Sequence, residues 1–257
     1  MYIRHIISSI KHRLLKRRKR VRLRGIHAQH FFLLQQQSLK SVPRFTLEKK
    51  DIHLFSHDAT VSTAFDRHYV YHPAWAARVV KSIQPEVHID ISSTLHFCTM
   101  LSAFMSVKFF DFRPASVVLS NLSSEKADLT ALHFNSNSIV SLSCMHTVEH
   151  IGLGRYGDPV DYDGDLKAIK ELARVLAKNG NLLFVVPVGN RSVIHFNGHR
   201  VYHPDLVKAL FSAEGLSLKE FVLIPEESKD GGLVHDPSPE LLERQTYACG
   251  CFWYTKY

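Results

Sequence analysis

The chain has 257 residues, enough to bury the core of one large α/β domain or two small ones. Its formal net charge is +8, but ten of its 32 Lys and Arg fall within residues 1–24, leaving 22 against 24 Asp and Glu. The body is therefore close to neutral, and nucleic acid is not its expected partner.

The basic stretch alternates Ile3, Ile6, Ile7, Ile10, Leu14 and Leu15 with cations, which is an amphipathic helix pattern. Such an arm suits peripheral contact with an anionic inner membrane face, nucleic-acid contact, or plain solvation. The run Ile6 to Ile10 is too short and polar for a secretory leader, and no run reaches membrane-spanning length. Cys98, Cys144, Cys249 and Cys251 include no CxxC and no zinc-like spacing, so a reducing cytoplasm is expected, with Cys98 and Cys144 buried. The arm is taken as residues 1–44, through Gln35-Gln36-Gln37 to Pro43, with one domain over 45–257.

Within that domain the first helix is predicted at His72 to Ile83, with Pro73 near its start. Val87 to Ile91 reads as a buried strand leading into the Ser92-Ser93-Thr94 turn. Residues 95–106 read as a crossover helix, and Val107 to Phe110 as a second strand ending at Asp111. A brief helical stretch is expected near Ala115 to Leu122, and a short third strand at Ala127 to Thr130. Ile139 to Ser143 is the fourth strand.

A polar loop with Glu149, His150, Arg155 and Asp158 follows. Then Leu166, Ile169, Leu172, Ala173, Val175 and Leu176 recur at helical spacing. Asp163 or Asp165 is expected to cap that helix, and Gly180 to end it in a left-handed conformation. Leu182 to Val186 is continuously apolar, as in a parallel strand covered on both faces. Residues 203–214 read as a helix with Pro204 in its first turn and Gly215 as its stop. Leu218 to Ile224 and Thr246 to Tyr254 read as strands paired antiparallel at a sheet edge.

These elements predict a Rossmann-like, doubly wound α/β domain. Its sheet is mostly parallel and seven-stranded, with an antiparallel C-terminal strand pair. Ligands of such sheets bind at the carboxyl ends of the strands, which puts chemistry in the polar loop.

Asp111 comes 21 residues after Asp90, and an acid at about that distance can hydrogen-bond ribose hydroxyls. Asp128-Leu129, LHFNSNSIVSLSCMHTVEHI and ELARVLAKNGNLLFVVP follow in order. This series resembles the class I S-adenosylmethionine-dependent methyltransferase superfamily. Over residues 66–225, EHIGLGRYGDP, DFRP and FNGHRVY resemble an uncharacterised methyltransferase-like family of unknown function.

The resemblance implies S-adenosylmethionine as cofactor. It implies Asp90, Ser92 and Ser93 beside the methionine portion, Asp111 on the ribose, and Asp128 and Leu129 near the adenine. Ser143 to His146 would pass beneath the cofactor, and Glu149 and His150 would face the methyl acceptor. Superfamily members usually carry a Gly-rich turn after the first strand, whereas DISSTLHF contains no glycine.

Proton removal from an acceptor falls to His146, His150 or His199, with Glu149 orienting an imidazole or contacting the acceptor. Arg155 and Arg200 suit an anionic substrate, with Tyr156, Asp158 and Asn197 completing the acceptor side. The expected acceptor is a small molecule or glycan precursor. A non-catalytic protein of the same fold, binding a partner or a sugar nucleotide, is the alternative.

His146-Thr147-Val148-Glu149-His150 also matches HxxEH, a zinc-hydrolase pattern that requires a helix. Here it directly follows a strand and precedes Gly152 and Gly154. His195, His199 and His203 are four apart, but Asn197-Gly198 interrupts any helical face. No metal is expected.

Overall fold

Apolar runs bounded by turn residues build a single large sheet, seen in a computed structural model that describes residues 33–34, 37, 44–51, 53 and 60–257. The basic arm of residues 1–24, and the membrane or nucleic-acid roles expected of it, lie outside the described residues. The chain divides into two compact units, Met1–Ala64 and Phe65–Tyr257. In the first, a 3-10 turn spans Lys49–Asp51.

The second unit contains the expected doubly wound domain. Helices α1 (Arg67–Ile83), α2 (Leu95–Leu101), α3 (Gly164–Val175), α4 (Pro204–Ala213) and α5 (Pro239–Glu243) alternate with strands. The strands of the main sheet are β1 (Val87–Ile91), β2 (Ser106–Asp111), β3 (Leu122–Lys126), β4 (Ile139–Met145), β5 (Leu176–Val188), β8 (Leu216–Ile224), β9 (Val234–His235) and β10 (Ala248–Lys256). A hairpin of β6 (Val193–His195) and β7 (His199–Val201) stands apart from them. The sheet order is β3-β2-β1-β4-β5-β10-β8-β9. Strands β1 to β5 pair in parallel, and β10, β8 and β9 run antiparallel to their neighbours. The C-terminal pair β8–β10 thus forms as predicted, but β10 lies inside the sheet and the two-residue β9 makes the edge.

Both faces are covered, as the apolar β5 requires. Leu182, Phe184, Val186 and Val188 pack with α3 and α4 residues such as Leu172 and Phe211. Leu183 and Val185 join Trp75, Val79 and Phe97 from α1 and α2 on the opposite face. All four cysteines are free and buried. Among the described residues, no helix is long and apolar enough to cross a membrane.

Six local expectations are corrected. Helix α1 starts five residues earlier than His72, because Asp66 caps it by accepting the Tyr69 N–H at 3.2 Å, and Pro73 is accommodated in its interior. Residues 115–118 form no helix, and the third strand is Leu122–Lys126 rather than Ala127 to Thr130. This edge strand is largely polar, which hid it, whereas Ala127 and Leu129 are apolar because they are buried just beyond it. Helix α2 stops at Leu101, and turns carry the chain to β2. Neither Asp163 nor Asp165 caps α3, and the left-handed residue beyond it is Asn179 (φ 58°) rather than Gly180. Gly180 answers a packing demand, since a Cβ there would lie 2.7 Å from the Ala177 carbonyl oxygen.

A buried polar seam joins β1 to β4 at the point where the strand order reverses. Asp90, with no exposed surface, accepts the Ser93 N–H at 2.9 Å and the Ser143 hydroxyl. His88 bridges the Ser141 and Ser143 hydroxyls at 2.7 and 2.9 Å. Burial pushes the Asp90 carboxyl up to about 6 from an ordinary 3.8.

The folded state therefore binds the extra proton between those values, and this residue's contribution to stability falls as pH rises through that window. Asp90→Asn should remove that component. Relative to wild type it should gain up to about 3 kcal/mol between pH 4 and pH 7. Urea unfolding of both proteins across that range checks this, and parallel pH profiles would refute it.

Candidate functional site

The crevice beyond β1, β2 and β4 is built by turns that depart from ordinary backbone geometry. Ser92 follows β1 at φ 58° and donates its N–H to the Phe110 carbonyl at 2.7 Å. Thr147, just after β4, donates its hydroxyl to the Ser92 carbonyl at 2.9 Å. His146 is likewise left-handed, at φ 55°. Two non-glycine residues at positive φ on adjoining strand ends mark a site where local strain is held by its surroundings.

A cavity of about 310 Å³ lies here, lined by Ser92, Asp111, Asp128, Leu129, His146 and Thr147. Asp111 uses one carboxylate oxygen on the Arg113 N–H (2.7 Å), and Asp128 uses one on the Thr130 N–H and hydroxyl (2.8 and 2.7 Å). Among the described residues, the second oxygen of each has no hydrogen-bond partner. Four residues predicted for the cofactor (Ser92, Asp111, Asp128 and Leu129) are thus brought together. Asp90, Ser93 and Ser143 are not among them, because their polar groups are engaged in the seam inside the sheet. Phe112, Arg113, Thr130 and Thr147 also line the cavity, and sequence inspection had not singled them out.

The polar loop is rigidly organised. Asp158 accepts the N–H groups of Gly152 (2.8 Å), Gly154 (3.4 Å) and Tyr156 (3.1 Å). Gly152, at φ 78°, admits no side chain, since a Cβ would lie 2.0 Å from the Asp161 carbonyl oxygen. Arg200, predicted to hold substrate, is buried and donates to the Ile151 and Tyr162 carbonyls at 2.6 and 3.0 Å. It also lies 3.5 Å from Asp165, which accepts the Tyr202 hydroxyl at 2.9 Å. Arg200 and Asp158 therefore shape the loop, and Asp158 borders the first cavity. Asn197 and Arg200 border neither cavity.

A second cavity, of about 570 Å³, adjoins the first and shares His146, His150 and Tyr156 with it. Glu149, Arg155 and His199 line it. Glu149 is 1 % exposed; its Oε1 lies 2.8 Å from His146 Nδ1 and 3.8 Å from His150 Nε2, and its Oε2 has no partner. Burial raises this carboxyl to about 7 and lowers His146 to about 4. His68 is lowered to about 4 by burial and by the neighbouring His146. His150 Nδ1 and Arg155 Nη1 converge on the Gly198 carbonyl at 2.7 and 3.1 Å.

The HxxEH segment is not a helical metal motif. His146 ends the left-handed turn after β4, and Val148–His150 is a single 3-10 turn. His195 and His199 face each other across the β6–β7 hairpin, and His203 caps α4 by accepting the Asp205 N–H at 3.3 Å.

Asp66, His68, Tyr69 and Tyr247 also line the second cavity and escaped the sequence reading. An Asp three residues before Tyr69, ahead of an apolar helical face, was the available signal. It is an N-cap pattern that would have extended α1 into the site.

The described fold is shared with solved structures. A Galdieria sulphuraria protein provisionally named sarcosine dimethylglycine methyltransferase superposes with a TM-score of 0.51 at 14% identity, covering 72% of this chain and 84% of its own. The MccD protein gives 0.50 at 13% identity, covering 73% and 97%. At such identities the likeness establishes the Rossmann-like methyltransferase fold and nothing finer. No curated protein matches the sequence. The family model described as "Caenorhabditis protein of unknown function, DUF268" matches residues 80–216, more than half the chain, and the protein belongs to that family.

Proposed function

We propose that the chain is an S-adenosylmethionine-dependent methyltransferase acting on a small-molecule or glycan-precursor acceptor. One observation carries this reading. A cavity at the carboxyl ends of the parallel strands shares His146, His150 and Tyr156 with a second, larger cavity lined by titratable side chains. When bound, the sulfonium cofactor supplies an electrophilic methyl group.

The residues present fit such a cofactor. The first cavity is within the size range of small-ligand sites. Ser92 supplies the left-handed turn that glycine usually provides, so the backbone is shaped for a close ligand although the side chain differs. Asp111 and Asp128 each offer an unpartnered carboxylate oxygen, suited to ribose hydroxyls and an adenine amino group respectively.

On the acceptor side, displacement requires orientation and, for a hydroxyl or amine, proton removal. Glu149, whose buried Oε2 has no hydrogen-bond partner, lines that cavity together with His150 and His199. His146 Nδ1 holds the other oxygen of Glu149 in place. Arg155 and Tyr156, with the guanidinium 5.1 Å from the ring centre, frame the opening toward an anionic or planar acceptor group.

Titration calorimetry with S-adenosylmethionine tests the cofactor site directly. Micromolar binding is expected, weakened about 10- to 100-fold by Asp111→Ala, the loss of a charge-assisted hydrogen bond. Undetectable binding, or binding indifferent to that substitution, would sink the reading.

For the turn, Ser92→Gly should bind the cofactor as tightly as wild type. Ser92→Val should lose about 1–2 kcal/mol of stability, because a β-branched residue tolerates positive φ poorly. Thermal melts of the two variants decide the point, and equal melting temperatures would contradict it.

For the chemistry, the chain incubated with methyl-labelled cofactor and a small-metabolite extract should release S-adenosylhomocysteine. Glu149→Gln should slow that release on the order of 100-fold while leaving cofactor affinity intact. An undiminished rate would remove Glu149 from the reaction.

A further inference from the structure

Beside the second cavity, which His68 and His146 line, three metal-ligating side chains from three distant parts of the chain converge. His68 comes from the first turn of α1, His146 from the end of β4 and Cys249 from β10. Their ligating atoms all lie within 4.8 Å of one another. We propose that these residues form a mononuclear site for zinc or a similar divalent transition metal, with its fourth position open to the acceptor cavity.

The distances suit the ion. Zinc–nitrogen bonds of about 2.0–2.1 Å and a zinc–sulfur bond of about 2.3 Å at a tetrahedral angle hold nitrogen and sulfur about 3.5 Å apart. His146 Nε2 and Cys249 Sγ are 3.5 Å apart. The donor set of two imidazoles and one thiolate is of the borderline-soft kind that zinc takes in preference to magnesium or calcium. Three protein ligands with one vacant position is the arrangement of catalytic zinc, whereas structural sites are closed by four.

Each imidazole is also oriented from behind, as ligating histidines are. His146 Nδ1 lies 2.8 Å from the buried Glu149 Oε1, which leaves Nε2 to face Cys249. His68 Nε2 lies 3.2 Å from the Tyr247 carbonyl oxygen, so it donates there and leaves Nδ1 as a lone-pair donor. The His68 and His146 rings stack at 5.2 Å.

His72 packs behind the same cluster. It is fully buried, its Nδ1 is bonded to the His68 carbonyl at 2.6 Å, and its Nε2 has no partner. Its ring meets that of His146 edge-on at 5.0 Å.

The consequence for the acceptor rests on the methyltransferase reading. His68 and His146 both line the second cavity, so the open position would take an acceptor hydroxyl or thiol and make it the better nucleophile. The ion site itself does not depend on that reading. Neither does it revive the HxxEH pattern, since His150 is outside the triplet.

The test is cobalt(II) titration of the untagged full chain, followed by absorption spectroscopy, with zinc as competitor. One equivalent should bind and produce a thiolate-to-cobalt charge-transfer band that zinc abolishes. Cys249→Ser should lose the band, and His68→Gln, on a partly exposed helix start, should weaken binding at least ~10-fold while retaining the wild-type circular dichroism. His150→Gln should leave affinity within about twofold.

Absence of a stoichiometric ion would overturn the proposal and reduce the His146–Cys249 contact to an S–H···N hydrogen bond. So would loss of binding in His150→Gln but not in His68→Gln. Calorimetry with S-adenosylmethionine, run on the metal-free chain, separates the two readings: cofactor binding without cobalt binding refutes only the ion site, and the reverse refutes only the methyltransferase.

Discussion

A carboxylate sealed inside a sheet has to be hydrogen-bonded, and much of this molecule's architecture follows from how Asp90 meets that demand. Its Oδ1 accepts the Ser93 N–H at 2.9 Å, so the chain must fold back immediately after β1. The bend falls on Ser92, which takes φ 58°. The Ser92 carbonyl then accepts the Thr147 hydroxyl, tying the β1 turn to the one after β4. The Ser93 hydroxyl accepts the Met145 N–H at 3.0 Å, a second tie across the same gap. One buried acid thereby fixes both lips of the crevice in which a ligand of a doubly wound sheet would lie.

The fold was legible in the sequence because its signals are apolar periodicities. The all-apolar β5 and the 3.6-residue repeat of α3 announce themselves, and parallel strands with helical crossovers leave few topologies to choose from. What the pattern concealed was polar. β3 is an edge strand of sequence LSSEK, so burial imposes no apolar demand on it. The start of α1 is set by a cap bond to Asp66 rather than by hydrophobic spacing. Gly180 looked like a helix terminator and is instead a place where two backbones approach closely.

Site residues were legible in proportion to how much their role depends on position along a strand. Asp111 ends β2 and Asp128 lies two residues beyond β3, and both border the cavity. Arg200 carries a charge that looks made for a substrate, yet the Ile151 and Tyr162 carbonyls and Asp165 occupy its guanidinium. No one-dimensional pattern distinguishes a guanidinium that holds a loop from one that awaits an anion. The same blindness hid His68 and Cys249, separated by 181 positions and brought to His146 only by the packing of α1 and β10 against the end of β4.

The glycine-free turn is the strongest argument for a non-catalytic protein, and it weakens once its conformation is considered. The glycine of such turns serves two purposes, reaching positive φ and leaving room beside the backbone. Ser92 meets the first at a strain of roughly 1–2 kcal/mol, borne by the Asp90 seam and the Phe110 and Thr147 hydrogen bonds. Its small side chain does not leave the second wholly unmet, because the hydroxyl turns toward the Phe110 carbonyl at 3.3 Å. Ser92 and His146, on two neighbouring turns, both take positive φ beside one cavity. The turn geometry that glycine usually supplies is therefore present at the strand ends without glycine, held by the hydrogen bonds of the neighbouring strands.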